Sequence, residues 1–410
     1  MWKWFPIARM ERVVREMGVD VDWPVKCRRV VFVAYQTPEL GGGGTFIDTM
    51  SQAFTEAGLD VEHVSIERGV RPPRFRTTTI HRWENLHNRA VLRSQTTLVT
   101  RLKALPLLLV KRLDRWVSDR AFRRLIAGRR DDTVVIFTDG KAKIQLDNTG
   151  FARSVGGPVL IGQHHSNFTL LNQGAKDELR VHYADLDAFV GLSQQDADEV
   201  HALIGIPSFR ISNPVPPVRP SGADREDEAV ALVRLSPEKQ LGIMIRAFAS
   251  AKSRAELVNW SLKIYGAGPE RGSLESLIAE LGAGEWIHLM GRTDNVGVVL
   301  SRAKLNLLSS SIEGFPMSIL EAAACGVPTL TFDCSPGVRE LVTSDTGYLV
   351  PAGDEEAYGE VLRCALEDRS ELSRRGREAQ LHVRTYSSER IVEEWGRVIS
   401  RCYEARGVDL

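Results

Sequence analysis

Short runs that are apolar at every position alternate with longer, mixed stretches along most of the chain. Residues 30–34 form such a run, a glycine tract follows, and residues 46–57 then carry helical spacing. The short-run pattern returns at 133–137, 158–162 and 188–190, with helical segments between most of them. Strands that are apolar throughout are buried on both faces, so their alternation with helices predicts a parallel sheet covered on both sides. The rhythm breaks at Ser212-Asn213-Pro214-Val215-Pro216-Pro217 and the polar stretch 221–228, which read as a linker. It restarts at 230–233 and continues through 262–265, 286–289, 305–308 and 327–332. The expected fold class is therefore α/β, with two doubly wound, Rossmann-like domains over 1–220 and 221–386. A last helix within 387–410 is expected to cross back to the first domain. Ligands of open parallel sheets bind beyond the carboxyl ends of the strands. The two sheets are thus expected to face an interdomain cleft, with the chemistry on the loops that follow strands.

Composition narrows the function classes. The 53 Lys and Arg balance 53 Asp and Glu, so no bulk attraction to nucleic acid is expected. No apolar run reaches eighteen residues; the longest candidate, 104–110, is too short to span a bilayer. The five cysteines, Cys27, Cys325, Cys334, Cys364 and Cys402, are scattered without a CxxC pair, which argues against a zinc site or a disulfide framework. A reducing cytoplasm is the simplest compartment. The opening residues, Met1 to Pro6, lack the apolar core of a signal peptide.

Five places carry candidate chemistry. After 305–308 comes Ser311-Ile312-Glu313-Gly314-Phe315-Pro316-Met317-Ser318-Ile319-Leu320-Glu321, with one carboxylate in a turn and one in the next helix. Free N–H groups at that helix start suit an anion such as a diphosphate, and the carboxylates suit sugar or ribose hydroxyls. Ser318 to Glu321 also reads as a capping box, with Glu321 only reaching back to the cap. After 230–233, Arg234 and Lys239 flank a turn, a pairing fit for phosphate oxygens, although Glu238 is placed to neutralise Arg234 locally. Tyr265-Gly266-Ala267-Gly268-Pro269-Glu270 is a glycine turn opening a helix, with or without a ligand. Gly41 to Gly44 offer close backbone approach, or a plain surface loop. His164 and His165, after the strand at 158–162, point to opposite sides, so only one can enter a cleft.

Taken in order, these segments resemble the family 4 glycosyltransferases of the GT-B fold, also grouped as glycosyl transferases group 1. The match is strongest over 231–352. Arg234 to Lys239 resembles the RLxxxK segment, Tyr265 to Glu270 the GxGPE turn, and Glu313 to Pro328 the EGFPxxxLEAxAxGxP signature. Residues 287–291 resemble the strand before the base-binding loop, which Arg292 opens. The resemblance implies that Glu313 holds hydroxyls of the transferred sugar and Glu321 the ribose. Arg234 and Lys239 neutralise the diphosphate, and the backbone of Gly314, Phe315, Pro316, Met317 and Ser318 binds sugar and phosphate oxygens. Gly266 lines the donor site, Gly43 and Gly44 match the first-domain loop near the donor, and His165 matches an acceptor-side histidine. Asn213 matches a hinge segment. Gln240 departs from the family pattern, which often has Gly or Asn there.

The resemblance further implies a retaining enzyme that moves a sugar from a nucleotide-diphosphate donor, UDP favoured, to a hydroxyl acceptor on a bacterial cell-wall polymer, surface polysaccharide or glycolipid precursor. No metal and no tightly bound cofactor are implied. Two other readings stay open: a nucleotide-sugar epimerase, which needs no acceptor, and a catalytically silent sugar-nucleotide-binding partner. Residues 101–130 hold ten Lys or Arg against two Asp, interleaved with leucines. This basic amphipathic segment is expected either to touch an anionic membrane surface at its cytoplasmic side, with Trp2, Trp4 and Phe5 as further anchors, or to be a core-facing helix with a solvated basic face.

Overall fold

The structure is a computed structural model, and it describes residues 23, 26–37, 41–69, 72–81, 113, 115–165, 168, 171–222, 224–252, 257 and 259–407. Trp2, Trp4, Phe5, and 101–112 of the basic segment lie outside the described residues. The chain divides into two compact units, 1–211 with 391–410, and 212–390.

The first unit is built on seven strands: β1 (Arg29–Thr37), β2 (Asp60–Arg68), β3 (Thr77–His81), β4 (Thr133–Phe137), β5 (Val159–Gln163), β6 (Ala188–Gly191) and β7 (Ser208–Arg210). They pair in the order β3-β2-β1-β4-β5-β6-β7, each pair parallel. Val31, Val33, Val135, Phe137 and Leu160 lie in its core with Phe122 and Ile126. The apolar-run pattern does not reveal β2, because β2 buries polar side chains. Glu62 and His63 are both almost fully enclosed. Each is compensated: His63 Nε2 meets Ser51 Oγ at 2.7 Å, and Glu62 takes the guanidinium of Arg129 at 2.5 Å and that of Arg76. Burial pushes the His63 imidazole down to about 4, so it stays neutral.

The glycine tract after β1 is not a loop. A helix spans Gly42–Glu56, capped by Gly41 at φ 104°, so Gly43 and Gly44 form its first turn. Phe46, Met50 and Phe54 from this helix are fully buried. The C-terminal helix, Ser388–Ala405, adds Trp395, Ile399 and Tyr403 to the buried set. Trp395 meets Phe54 edge-on at 6.3 Å, and Tyr403 donates its hydroxyl to Asp131 O at 2.7 Å. Just past the helix, Arg406 grips Asp187 through two nitrogens, at 2.9 and 2.6 Å.

The second unit has six strands: β8 (Glu228–Leu232), β9 (Ser261–Tyr265), β10 (Ile287–Gly291), β11 (Leu305–Leu308), β12 (Thr329–Asp333) and β13 (Gly347–Pro351). All are parallel, in the order β10-β9-β8-β11-β12-β13. The edge strand β13 does not show in the apolar pattern, since it alternates between buried and exposed positions. Phe248, Trp260, Leu262, Leu305, Leu330 and Tyr358 share one core.

Both sheets reverse direction between their first and fourth strands. In the second unit these are β8 and β11, paired through Leu305 with Ala229 and Asn306 with Val230. The chain leaves the two strands toward opposite sides, which opens a crevice at their carboxyl ends, where ligands of such sheets bind.

Candidate active site

The loops leaving β8 and β11 meet at that reversal point. Ser309 is wholly buried, and its hydroxyl donates to Lys239 O at 2.8 Å and Gln240 O at 3.2 Å. Ser311 N donates to Glu238 O at 2.9 Å. These bonds fix the second loop against the first. They bring Lys239 Nζ to 2.7 Å from Glu313 Oε1, and Ser310 Oγ donates to the same oxygen at 2.7 Å. The Lys239 and Glu313 side chains are only 17% and 12% exposed, so their charges compensate one another in a largely dry place. The sequence offers both residues but not this pairing, and Ser310 was not among the expected site residues.

Arg234 stands on the same loop with a different partner. Its guanidinium is two-thirds exposed and holds Glu238 at 2.6 Å. Burial opposes a charged Glu238, but hydrogen bonds from Ser236 and Arg234 outweigh it and hold the carboxyl down at about 2. The local neutralisation that the sequence suggested for Arg234 is therefore formed.

A third loop supports the first. Gly266, after β9, has φ 151°, and a Cβ built there falls 1.7 Å from Val233 O. At Gly268 the same atom falls 2.1 Å from Leu235 O. Leu235 N donates to Ala267 O at 3.1 Å and Glu270 N to Leu235 O at 3.1 Å. The glycines let the two backbones touch. Gly266 thus contacts the Arg234 loop itself, a structural duty distinct from the donor contact expected of it. Arg292, directly after β10, is exposed.

The signature turn closes the site. Phe315 and Pro316 are buried, and Met317 begins the helix Met317–Ala324, capped by Pro316 without a side-chain bond. Ser318 therefore sits inside the helix, and the capping box does not form. No hydrogen bond from the described residues reaches the Glu321 carboxylate. Burial pushes that carboxyl up to about 7. Among the described residues the N–H groups of Gly314, Phe315, Met317 and Ser318 have no hydrogen-bond acceptor. The turn is held from behind: Asn213 Nδ2 donates to Phe315 O at 2.9 Å, Ser335 Oγ to Gly314 O at 3.2 Å, and Phe315 meets Tyr386 edge-on at 5.3 Å. Cys334 also borders the site. Burial, and after it the Glu313 charge, push its thiol up to about 12.

Gln240 departs from the pattern at a place where the backbone itself favours Gly or Asn. It is the only non-glycine residue at positive φ among the described residues, at φ 47° and ψ 40°, where the loop enters the helix Leu241–Ala251. Left-handed backbone penalises most side chains by about 1–2 kcal/mol, and Asn less. Gln240→Asn is expected to raise unfolding stability by about 1 kcal/mol, read as a higher urea midpoint at unchanged slope.

In the first unit, the expected residues take up the analogous end of their own sheet. The His165 ring lies 4.3 Å from Phe46, and its Nε2 is buried without a partner among the described residues. Burial, and then neighbouring His164, push the His165 imidazole down to about 3. His164 turns instead toward Phe168, at 6.3 Å. Gln163, two positions before His165 and fully enclosed, has no partner for either amide atom among the described residues. Its place at a strand end was the only sequence signal for it.

Residues 219–382 match the family model for glycosyl transferases group 1. The second unit is a group 1 glycosyltransferase domain. An exopolysaccharide phosphotransferase of Streptomyces coelicolor is 28% identical over 296 residues, 71% of this chain but 31% of the relative. A poly(glycerol-phosphate) α-glucosyltransferase of Bacillus subtilis is 24% identical over 257 residues, 61% of this chain and 38% of the relative. The chain spans about a third of the length of these curated relatives. Among solved structures, a glycine-to-arginine mutant of S. aureus TarM, crystallised with fondaparinux, α-GlcNAc-glycerol and UDP, superposes with a TM-score of 0.73 at 13% identity, over 90% of this chain and 99% of that one. The fold of this chain is thus that of the GT-B glycosyltransferases.

Proposed function

We propose that this chain is a retaining glycosyltransferase that moves a sugar from a nucleotide-diphosphate donor, with UDP as the favoured nucleotide, to a hydroxyl of a cell-wall polymer, surface polysaccharide or glycolipid precursor. The observation that carries the reading is the pairing of Lys239 with Glu313 at the β8–β11 reversal. The poly(glycerol-phosphate) glucosyltransferase relative and UDP-bound TarM support the acceptor class and the nucleotide.

Transfer breaks the bond from the anomeric carbon to the diphosphate oxygen. Positive charge grows on the carbon and negative charge on the leaving diphosphate. Lys239, Arg234 and the unpaired N–H groups of Gly314, Phe315, Met317 and Ser318 meet that negative charge, so no metal is called for. As the donor enters, Lys239 trades the Glu313 carboxylate for a phosphate oxygen and Arg234 leaves Glu238. The freed Glu313 then accepts hydrogen bonds from sugar hydroxyls. The acceptor oxygen joins the anomeric carbon on the face the diphosphate leaves, and its proton passes to the departing phosphate oxygen. Anomeric configuration is retained, with nucleoside diphosphate and glycoside as products. Glu321 accepts from the ribose, and His165 faces the acceptor side.

The phosphotransferase relative frames the test. Glycosyl transfer releases UDP, whereas transfer of a sugar phosphate breaks the P–O–P bridge and releases UMP. Incubation with UDP-sugars and wall-polymer acceptors, followed by nucleotide chromatography and NMR of the anomeric proton, is expected to give UDP and the donor's own configuration, undiminished by EDTA. UMP or an inverted product would refute the reading. An acceptor-independent epimer of the donor would establish the epimerase alternative.

Glu321 supplies a pH prediction. Its folded pKa, about 7, lies above the ordinary 4.5, so its contribution to stability is present below about 4.5 and is lost as pH rises through about 7. A ribose hydroxyl donates best to the ionised form. UDP affinity is therefore expected to rise between pH 6 and pH 8 (about one unit either side of that value), and Glu321→Gln to flatten the rise. Calorimetric titration at three pH values checks this; a rise that persists in Glu321→Gln assigns it elsewhere.

A further inference from the structure

The helix over 115–127 in the first unit presents two different faces. Phe122 and Ile126 are fully buried in the core and Ser118 nearly so, which fixes the helix's rotation. The opposite face carries Leu113, Trp116 and Val117, exposed by 62%, 58% and 52%, followed by exposed Arg120 and Arg124. Positions 113, 116, 117, 120 and 124 make one stripe at helical spacing. Eleven large apolar side chains are exposed among the described residues, and three of them fall within these five positions. That concentration sets the stripe apart from scattered surface apolar residues.

The charge on this face is of one sign. Arg120 lies over the Trp116 ring, 5.5 Å from its centroid, so cation and indole share one surface. Asp119, the described carboxylate of the helix, is turned away: it takes Gln145 Nε2 at 2.8 Å and lies 3.6 Å from His81. The sequence leading into the helix, 101–112, keeps the same composition, with four Lys or Arg, several leucines and no acid.

We propose that this face docks on an anionic lipid surface. Leu113, Trp116 and Val117 enter the headgroup boundary, while Arg120 and Arg124 meet lipid phosphates. An anionic wall polymer would engage the arginines but gives no reason to expose three large apolar groups beside them. Trp flanked by cations is matched to the interface, where one side is apolar and the other wet and negative. The proposal stands apart from the assigned chemistry, since none of these residues belongs to the catalytic site.

The test is co-sedimentation of the full chain with vesicles of equal parts phosphatidylcholine and phosphatidylglycerol, with pure phosphatidylcholine vesicles, and with soluble poly(glycerol phosphate). Wild type is expected to bind the anionic vesicles and to be released by high salt. The Leu113→Ser, Trp116→Ser, Val117→Ser triple variant is expected to bind them at least tenfold more weakly, as is Arg120→Glu with Arg124→Glu. Both variants are expected to melt like wild type, because the altered side chains are exposed. Failure of wild type to bind anionic vesicles overturns the proposal, as does undiminished vesicle binding by the triple variant. Binding to the polymer alone, equal in wild type and triple variant, assigns the face to an anionic polymer and likewise overturns it.

Discussion

Glu313→Gln is expected to lower turnover by about 10²–10³-fold while leaving the fold intact, the scale of losing one preorganised charge contact in a transition state. Gln keeps an oxygen for the Ser310 hydroxyl, which donates at 2.7 Å, so the turn retains its local bond. What it loses is the negative charge facing Lys239 at 2.7 Å and the strong acceptor for sugar hydroxyls. Lys239→Met is expected to fall by a similar factor, and to destabilise the free protein by about 1–3 kcal/mol because Glu313 is left largely buried without its partner. The two effects are not additive. Each residue compensates the other without donor, so the double variant is expected to be more stable than the sum of the two singles allows. Steady-state release of nucleoside diphosphate, with urea unfolding of the same four proteins, gives both readouts. A Glu313→Gln enzyme of wild-type turnover would remove that side chain from the chemistry.

Gly266→Ala carries the largest expected stability effect. Its methyl group would sit 1.7 Å from Val233 O, and φ 151° is a backbone conformation that a side chain rarely adopts. Neither backbone has room to give way without displacing the Arg234 loop. A loss of about 3 kcal/mol or more is expected, a drop in melting temperature of about 6 °C or more for a unit of this size. Gly268→Ala, 2.1 Å from Leu235 O, is expected to follow in the same direction. A wild-type melting curve for Gly266→Ala would show that the two loops are not packed as described.

The parallel sheets were legible because buried parallel strands are written as unbroken apolar runs: β1, β4, β8 and β11 stand out at sight. Strand β2 was hidden, since the Glu62 and His63 side chains it buries find partners on Arg129 and Ser51, which sequence does not place beside them. Strand β13 was hidden because an edge strand need bury only part of itself. The glycines at 42–44 looked like a loop because glycine is a poor helix former, yet Phe46, Met50 and Phe54 anchor the helix strongly enough to carry its start back to Gly42. At the site, residue types and order were readable, but partners were not. Nothing in the chain says that Lys239 rests on Glu313 while Arg234 rests on Glu238. Nor does it say that Ser318 falls inside its helix, leaving Glu321 without the cap it was spaced to reach. Nor does it show that Gln240 stands on left-handed backbone, where Gly or Asn fits better.

The claim on which the functional reading rests is that Lys239 receives the donor's diphosphate. Calorimetric titration of UDP into wild type and Lys239→Met measures this directly. Saturable binding by wild type and at least tenfold weaker binding by the variant is the expected result. Equal affinity in the two proteins, or no binding of UDP to wild type, would contradict it.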